Sequence, residues 1–125
     1  MVILHVDDDA EDQEIFKDAL SHSNPLAVYY SAESVEEALE LFKSPTLLCP
    51  DYIFLDLNIP KQDGKAFLRI ARNDAVLKTI PIIVFSTYIS REDKSLCLEL
   101  GAKDVLTKPA SFRDICAIID ATIKS

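Results

Sequence analysis

A three-layer α/β domain built on a parallel sheet is the fold class this sequence predicts, and three observations predict it. Five short apolar runs alternate with five stretches whose apolar residues recur at three- and four-residue steps. The central run, Tyr52-Ile53-Phe54-Leu55, offers apolar side chains to both faces, as a strand covered on both sides must. Ser or Asp residues stand where the helix-patterned stretches begin, and Pro or Gly where several of them end. Strand alternating with helix is the pattern of βαβ units, which stack helices on both faces of one sheet.

The elements follow in order. Val2 to Val6 reads as a buried strand ending in Asp7-Asp8-Asp9. From Ala10 to about Ser21, Ile15, Phe16, Ala19 and Leu20 mark the buried side of a helix. Its first turns hold Glu11, Asp12 and Glu14, acids that suit the positive end of the helix dipole, and Asp9 reads as its N-cap. Ser21 to Pro25 is a polar break in which His22 is solvated, and Ala27-Val28-Tyr29-Tyr30 is the second strand. Ser34-Val35-Glu36-Glu37 is a capping box, with Val35, Ala38, Leu39 and Phe42 behind it. Pro45 ends that helix and Pro50 introduces the central strand, which stops at Asp56; Pro60 closes the segment. After a loop containing Gly64, Ala66, Phe67, Ile70 and Ala71 share a helix face. Pro81 precedes the strand Ile82 to Phe85, which ends in Ser86-Thr87. Ser90 with Asp93 caps the next helix, Leu96, Cys97 and Leu100 are its apolar side, and Gly101 its C-terminal stop. Lys103 to Thr107 is the fifth strand, followed by Lys108-Pro109. Ser111 and Asp114 repeat the cap, and Phe112, Ile115, Cys116, Ile119 and Ile123 form the core stripe of the last helix.

The totals exclude several classes. At 125 residues the chain has room for one core, so residues 1–125 read as one domain. A net charge of -8 opposes general nucleic-acid or acidic-membrane binding, which need a basic surface. No apolar run approaches the ~18 residues of a spanning helix. Cys49, Cys97 and Cys116 are odd in number and widely spaced, which favours buried thiols in a reducing cytoplasm over disulfides or zinc. His5, inside an apolar strand, reads as structural. Only Lys124 and Ser125 follow Ile123, so no DNA-binding or enzymatic output domain is expected.

In open α/β sheets the site lies at the carboxyl ends of the strands. Those ends carry Asp7, Asp8 and Asp9, then Asp56, then Ser86 and Thr87, then Lys108. Two carboxylates about 4 Å apart repel by up to ~4 kcal/mol at an effective dielectric near 20, so such a cluster calls for a cation. All-oxygen ligation with few protein groups suits Mg²⁺, with Mn²⁺ able to substitute. Lys108 supplies a fixed positive charge for phosphate, and Ser86 a hydroxyl donor. A metal, a lysine and a hydroxyl around one carboxylate suit phosphoryl transfer, with Asp56 the candidate nucleophile.

Val6-Asp7-Asp8-Asp9, Phe54-Leu55-Asp56-Leu57-Asn58-Ile59-Pro60, Val84-Phe85-Ser86-Thr87 and Leu106-Thr107-Lys108-Pro109 together resemble the CheY-like receiver domain of two-component response regulators. The motifs stand in order, on successive strand ends, across essentially the whole chain. The resemblance implies a flavodoxin-like, doubly wound (βα)5 fold with strand order 2-1-3-4-5. It also implies that Asp56 is the phosphoacceptor, and that Asp7, Asp8, Asp56 and the backbone carbonyl of Asn58 hold Mg²⁺. Ser86, Thr87 and Lys108 are then the phosphoryl-binding and switch residues, Asn58 and Tyr88 the rim positions that tune phosphate loss, and Pro109 a cis-proline. Implied partners are a histidine kinase or histidine phosphotransfer protein and an unidentified downstream protein. A homodimer through the face formed by the fourth helix, fifth strand and fifth helix is a further implication.

One position departs from the family pattern. Val105 stands where the family usually places a switch aromatic, and a Val has no ring to swing, so Tyr88 is the expected relay. Two other functions compete. A phosphatase with an aspartyl nucleophile commonly has an acid two residues on, where this chain has Asn58. A degenerate receiver or flavin carrier on the same fold would act without phosphorylation, but the acid, hydroxyl and lysine set is complete and no Gly-rich phosphate loop follows the first strand. The expectation is a non-enzymatic receiver that catalyses only its own phosphorylation and dephosphorylation.

Overall fold

The computed structural model describes residues 1–59 and 64–124; Pro60 lies outside them. Strands β1 (Val2–Val6), β2 (Val28–Ala32), β3 (Tyr52–Leu55), β4 (Ile82–Ser86) and β5 (Asp104–Thr107) alternate with helices α1 (Ala10–Ser23), α2 (Val35–Lys43), α3 (Gly64–Arg72), α4 (Arg91–Glu99) and α5 (Phe112–Ile123). All neighbouring strands run parallel, in the order β2-β1-β3-β4-β5. The order reverses between β1 and β3, the switch point where a doubly wound sheet opens its crevice.

Local signals act where the sequence placed them. Asp9 caps α1 by accepting from the Glu11 and Asp12 amides at 2.8 and 3.1 Å. Ser34, Ser90 and Ser111 each accept from the amide three residues on, at 3.0 to 3.1 Å. Gly101 follows α4 with φ of 105°, a left-handed conformation that favours glycine.

Strand periodicity divides the core into two layers. Leu4, Val6, Ile53, Leu55, Ile82, Val84 and Val105 pack with residues of α2, α3 and α4. Ile3, Phe54, Ile83 and Phe85 pack with Phe16, Ala19 and Leu20 of α1 and Ile119 and Ile123 of α5. The sheet is thus covered on both sides, and polar groups concentrate at its ends.

Several expectations need correction. The second strand begins at Val28 and runs on to Ala32, because pairing with β1 in register Val2↔Val28 to Val6↔Ala32 sets its length. The apolar residues of α3 fit two faces one position apart; Gly64, Phe67, Leu68 and Ala71 are buried, and Ile70 is exposed. Phe112 is exposed at the open first turn of α5, where its ring meets the exposed His22 edge-on at 5.5 Å between centroids. Cys97 is buried and Cys116 half-buried, but Cys49 lies exposed in the loop before β3. A short 3₁₀ turn at Leu77–Thr79 adds to the expected elements, with the Val76 and Leu77 amides donating to Asp74 Oδ1 at 2.9 Å. The Lys108–Pro109 bond is trans, not cis. Trans is favoured by about 0.5–1 kcal/mol before proline, and with the Lys108 amide bonded to the Ser86 carbonyl at 2.9 Å the side chain reaches its partners from a trans bond.

Candidate functional site

Sheet register assembles the site. Val6 pairs with Leu55, so Asp7 and Asp56 emerge side by side from β1 and β3, and the Asp56 amide bonds the Val6 carbonyl at 2.9 Å. Ser86 pairs with Thr107, so Lys108 emerges beside Ser86. Four residues distant in sequence thereby meet at one end of the sheet.

Asp56 is 8% exposed, and both of its oxygens have donors. The Ser86 hydroxyl donates to Oδ1 at 2.6 Å, and the Asn58 amide donates to the same oxygen at 2.9 Å. The Lys108 ammonium donates to Oδ2 at 3.1 Å. Ser86 is completely buried, and its Oγ also receives contacts from the Leu57 amide at 3.4 Å and the Asn58 side-chain amide at 3.3 Å. Lys108 is held by two further carboxylates, Asp7 Oδ2 at 2.7 Å and Asp12 Oδ2 at 3.1 Å.

Burial and these contacts compete in setting protonation. Burial pushes Asp56 up, but the Ser86 hydroxyl, the Asn58 amide and Lys108 outweigh it and hold the carboxyl below its usual range. Asp56 is therefore held as a carboxylate at neutral pH. In Asp7 burial wins over the Lys108 and Asp9 contacts, and its carboxyl is raised. Burial disfavours the Lys108 ammonium, but Asp7, Asp56 and Asp12 override it and raise the group above its ordinary value.

Oxygens of Asp7, Asp8 and Asp56 all lie within 4.8 Å of one another. Asp7 is buried and Asp8 exposed, so the cluster opens to solvent on the Asp8 side. Among the described residues Asp7, Asp12 and Asp56 pair with the Lys108 ammonium and Asp8 adjoins Asp7 and Asp56, an excess of negative charge that a divalent cation relieves. Hard oxygen donors at an open rim fit a cation that keeps several waters, as Mg²⁺ and Mn²⁺ do.

The remaining expected residues line the rim. Asn58 and Thr87 are exposed, and Tyr88 is 74% exposed. Val105 is buried under α4 on the far side of β5 from α5. His5 is buried, as expected of a structural histidine, and stacks on Phe16 with ring centroids 4.1 Å apart.

Two contributors escaped the sequence reading. Asp12, expected only to complement the helix dipole, is pointed at Lys108 by the first turn of α1; its place one turn after Asp8 is the available signal. Gly64, expected in a loop, opens α3 against the backbone of Asp56 and Leu57, with its amide bonded to the Leu57 carbonyl at 3.1 Å. A Cβ there would stand 2.8 Å from the Asp56 carbonyl oxygen and 3.0 Å from Leu57 Cα. No sequence pattern announces such a close approach.

Known proteins share this arrangement of fold and sequence. A family model described as response regulator receiver domain matches residues 3–120. The probable transcriptional regulator ycf27 of Guillardia theta is 34% identical over 122 residues, covering 98% of this chain and 45% of that protein. The sensor histidine kinase CheAY of Helicobacter pylori is 28% identical over 124 residues, covering 98% of this chain and 15% of that protein. This chain spans about half the length, or less, of the curated relatives it matches. The phosphorylated cyanobacterial phytochrome response regulator RcpA superimposes with a TM-score of 0.89 at 28% identity, covering 98% of this chain and 91% of that one. The Mn(2+)-bound form of response regulator Rcp1 gives a TM-score of 0.84 at 27% identity, covering 96% and 89%. With its five parallel strands in the order 2-1-3-4-5 and its acids, hydroxyl and lysine at their carboxyl ends, the chain belongs to the response regulator receiver domain family, the CheY-like signalling modules of two-component phosphorelays.

Proposed function

We propose that residues 1–125 form a single receiver domain that accepts a phosphoryl group on Asp56 from a phosphohistidine, in a reaction that depends on Mg²⁺. The donor is a histidine kinase or a histidine phosphotransfer protein. The product changes affinity for a downstream protein or passes the phosphate on. One observation carries this reading: the ionised Asp56 is the acid around which Ser86, Asn58 and Lys108 all converge, beside the acidic pair Asp7 and Asp8.

In the transfer an Asp56 carboxylate oxygen attacks phosphorus, the P–N bond to the donor histidine breaks, and the released imidazole nitrogen takes a proton from solvent. Asp7, Asp8, Asp56 and the Asn58 carbonyl would hold the cation, which when bound neutralises charge on the phosphoryl oxygens. Lys108 offers a second neutralising charge, and meeting the phosphoryl group requires it to exchange part of its contact with Asp7, Asp12 and Asp56. Ser86 donates to the phosphoryl group in place of Asp56 Oδ1, drawing β4 and the adjoining Thr87 with it, and the Thr87 amide adds a donor. Val105 cannot relay that shift through a ring, so Tyr88, exposed two residues beyond Ser86, carries it to the partner.

Tyr88 and Asn58 at the rim also screen the water that hydrolyses the aspartyl-phosphate. Tyr88→Glu is expected to shorten its half-life; equal half-lives reject the screening role, and an unchanged phosphorylation-dependent partner affinity in Tyr88→Ala rejects the relay. Leu98 on α4 is an exposed apolar residue suited to pairing of two copies through the α4–β5–α5 face. The phosphorylation-independent alternative has no comparable observation in its favour.

Phosphotransfer tests the proposal. A phosphohistidine protein carrying labelled phosphate is mixed with this chain in Mg²⁺ or in EDTA. Label moving to this chain only in Mg²⁺, and not to Asp56→Asn, is the expected result. Transfer that persists in EDTA or in Asp56→Asn contradicts it.

A further inference from the structure

One polar group beside the site has no role in the scheme above. His5 is 1% exposed, and its Nε2 has no hydrogen-bond partner among the described residues. That nitrogen faces Asp7 Oδ2 at 3.6 Å, while Nδ1 lies 2.8 Å from the Tyr29 hydroxyl. The ring is fixed by stacking on Phe16 and by β1, whose register with β2 puts Tyr29 in the neighbouring strand. An imidazole is thus held between a phenol and one of the acids of the metal cluster.

Its single proton has a defined place. Burial in an apolar layer favours the neutral ring. One nitrogen then donates and the other accepts. The Tyr29 oxygen is also 3.3 Å from the Gln13 carbonyl, so its hydrogen has two acceptors to choose from. Were it given to Gln13, Nδ1 would have to donate to the phenol oxygen, and the Nε2 lone pair would face an acceptor-only carboxylate. Two buried acceptors face to face forfeit a donor that the site has at hand. With the hydrogen given to the nearer Nδ1, Nε2–H points at Asp7 and both nitrogens are used.

We infer that Tyr29 and His5 are positioning residues for the cation site: Tyr29 donates to His5 Nδ1, which fixes the Nε2–H tautomer, and that N–H aims at Asp7 and holds its carboxylate in place for the divalent ion. At 3.6 Å the contact is longer than a hydrogen bond, so it acts through the field of an aimed dipole. The inference rests on the reading that Asp7 holds Mg²⁺. Outer partners of this kind orient a ligand at little direct cost to the fold.

Two measurements on the whole chain test it. Nitrogen-15 shifts of the His5 ring, in metal-free protein at neutral pH, are expected to show protonated Nε2 and bare Nδ1; the reverse tautomer overturns the inference whether or not metal binds. Calorimetric titration with Mg²⁺ is then compared between wild type and Tyr29→Phe, which removes only the hydroxyl. About tenfold weaker binding by Tyr29→Phe, with an unfolding midpoint close to wild type, is expected. Equal affinity overturns the inference, and a loss of affinity matched by a collapse in stability assigns Tyr29 a merely structural role and overturns it too. Failure of the wild-type chain to bind Mg²⁺ instead contradicts the cation site itself, and the tautomer result then stands alone.

Discussion

Replacing Gly64 with alanine adds one methyl group, and opposing effects decide its outcome. Alanine in place of glycine ordinarily stabilises a helix by about 0.5–1 kcal/mol, with less to gain at the first residue of α3. Against this, the new Cβ meets the Asp56 carbonyl oxygen at 2.8 Å and Leu57 Cα at 3.0 Å. Those atoms are backbone, and the first belongs to the proposed phosphoacceptor. They cannot rotate away as a flexible side chain would, so α3 or the end of β3 must shift by several tenths of an ångström. Overpacking of this kind costs about 1–3 kcal/mol, which exceeds the helix gain. The expected net loss is about 1–2 kcal/mol, read as a lower urea midpoint with an unchanged slope. Because the shift moves Asp56 relative to Ser86 and Lys108, phosphorylation should slow more than stability falls. Misplacement approaching 1 Å costs roughly a hundredfold in rate, and a smaller shift costs proportionally less. A Gly64→Ala protein with the wild-type midpoint and phosphorylation rate would refute the reasoning.

Other predictions follow from the charges around Lys108 and from His5. Lys108→Met leaves Asp7 and Asp56 without their shared cation and should cost about 2–4 kcal/mol in EDTA, with Mg²⁺ restoring part of it; equal stability in EDTA would show that the pair is not felt. Asp12, whose side chain is 39% exposed, contributes less: at 3.1 Å in a dielectric near that of water its attraction for Lys108 is about 1 kcal/mol. Asp12→Asn should therefore leave the midpoint almost unchanged while freeing Lys108, raising the phosphorylation rate up to about fivefold; a slower reaction contradicts the restraint. His5 is protonated in the unfolded chain as pH falls through 6.5 but stays neutral in the fold down to about 3. Its contribution to stability is thus fully present above about 6.5 and is lost progressively between those values. At about pH 5.5 the loss relative to pH 8 is about 1 kcal/mol. Urea unfolding in EDTA should show this loss in wild type and not in His5→Leu; equal pH dependence in the two rejects the assignment.

Fold and site were legible in the sequence to different depths. Strand runs, four side-chain N-caps and the Gly101 stop are local signals, and each appears where its residues stand. The alternation of charge-bearing strand ends brought Asp7, Asp56, Ser86 and Lys108 to one edge before any geometry was known, because parallel strands must end on the same side. What was hidden depends on contacts across the chain. The bonds from Lys108 to Asp12 and from Tyr29 to His5 join elements whose spacing the sequence does not state. The close approach of Gly64 to Asp56 depends on how tightly α3 seats on β3. Face choice in α3 failed by one position because Ile70 and Leu68 fit the helical period equally well. The isomer before Pro109 was carried over from the family and has no signature in the residues themselves.

Intact mass after exposure to acetyl phosphate and Mg²⁺ tests the central claim most directly. The wild-type chain should gain one phosphoryl group, the gain should vanish in EDTA, and Asp56→Asn should gain none. A wild-type chain that stays unmodified in Mg²⁺, or an adduct that survives in Asp56→Asn, would contradict the assignment of Asp56 as the acceptor.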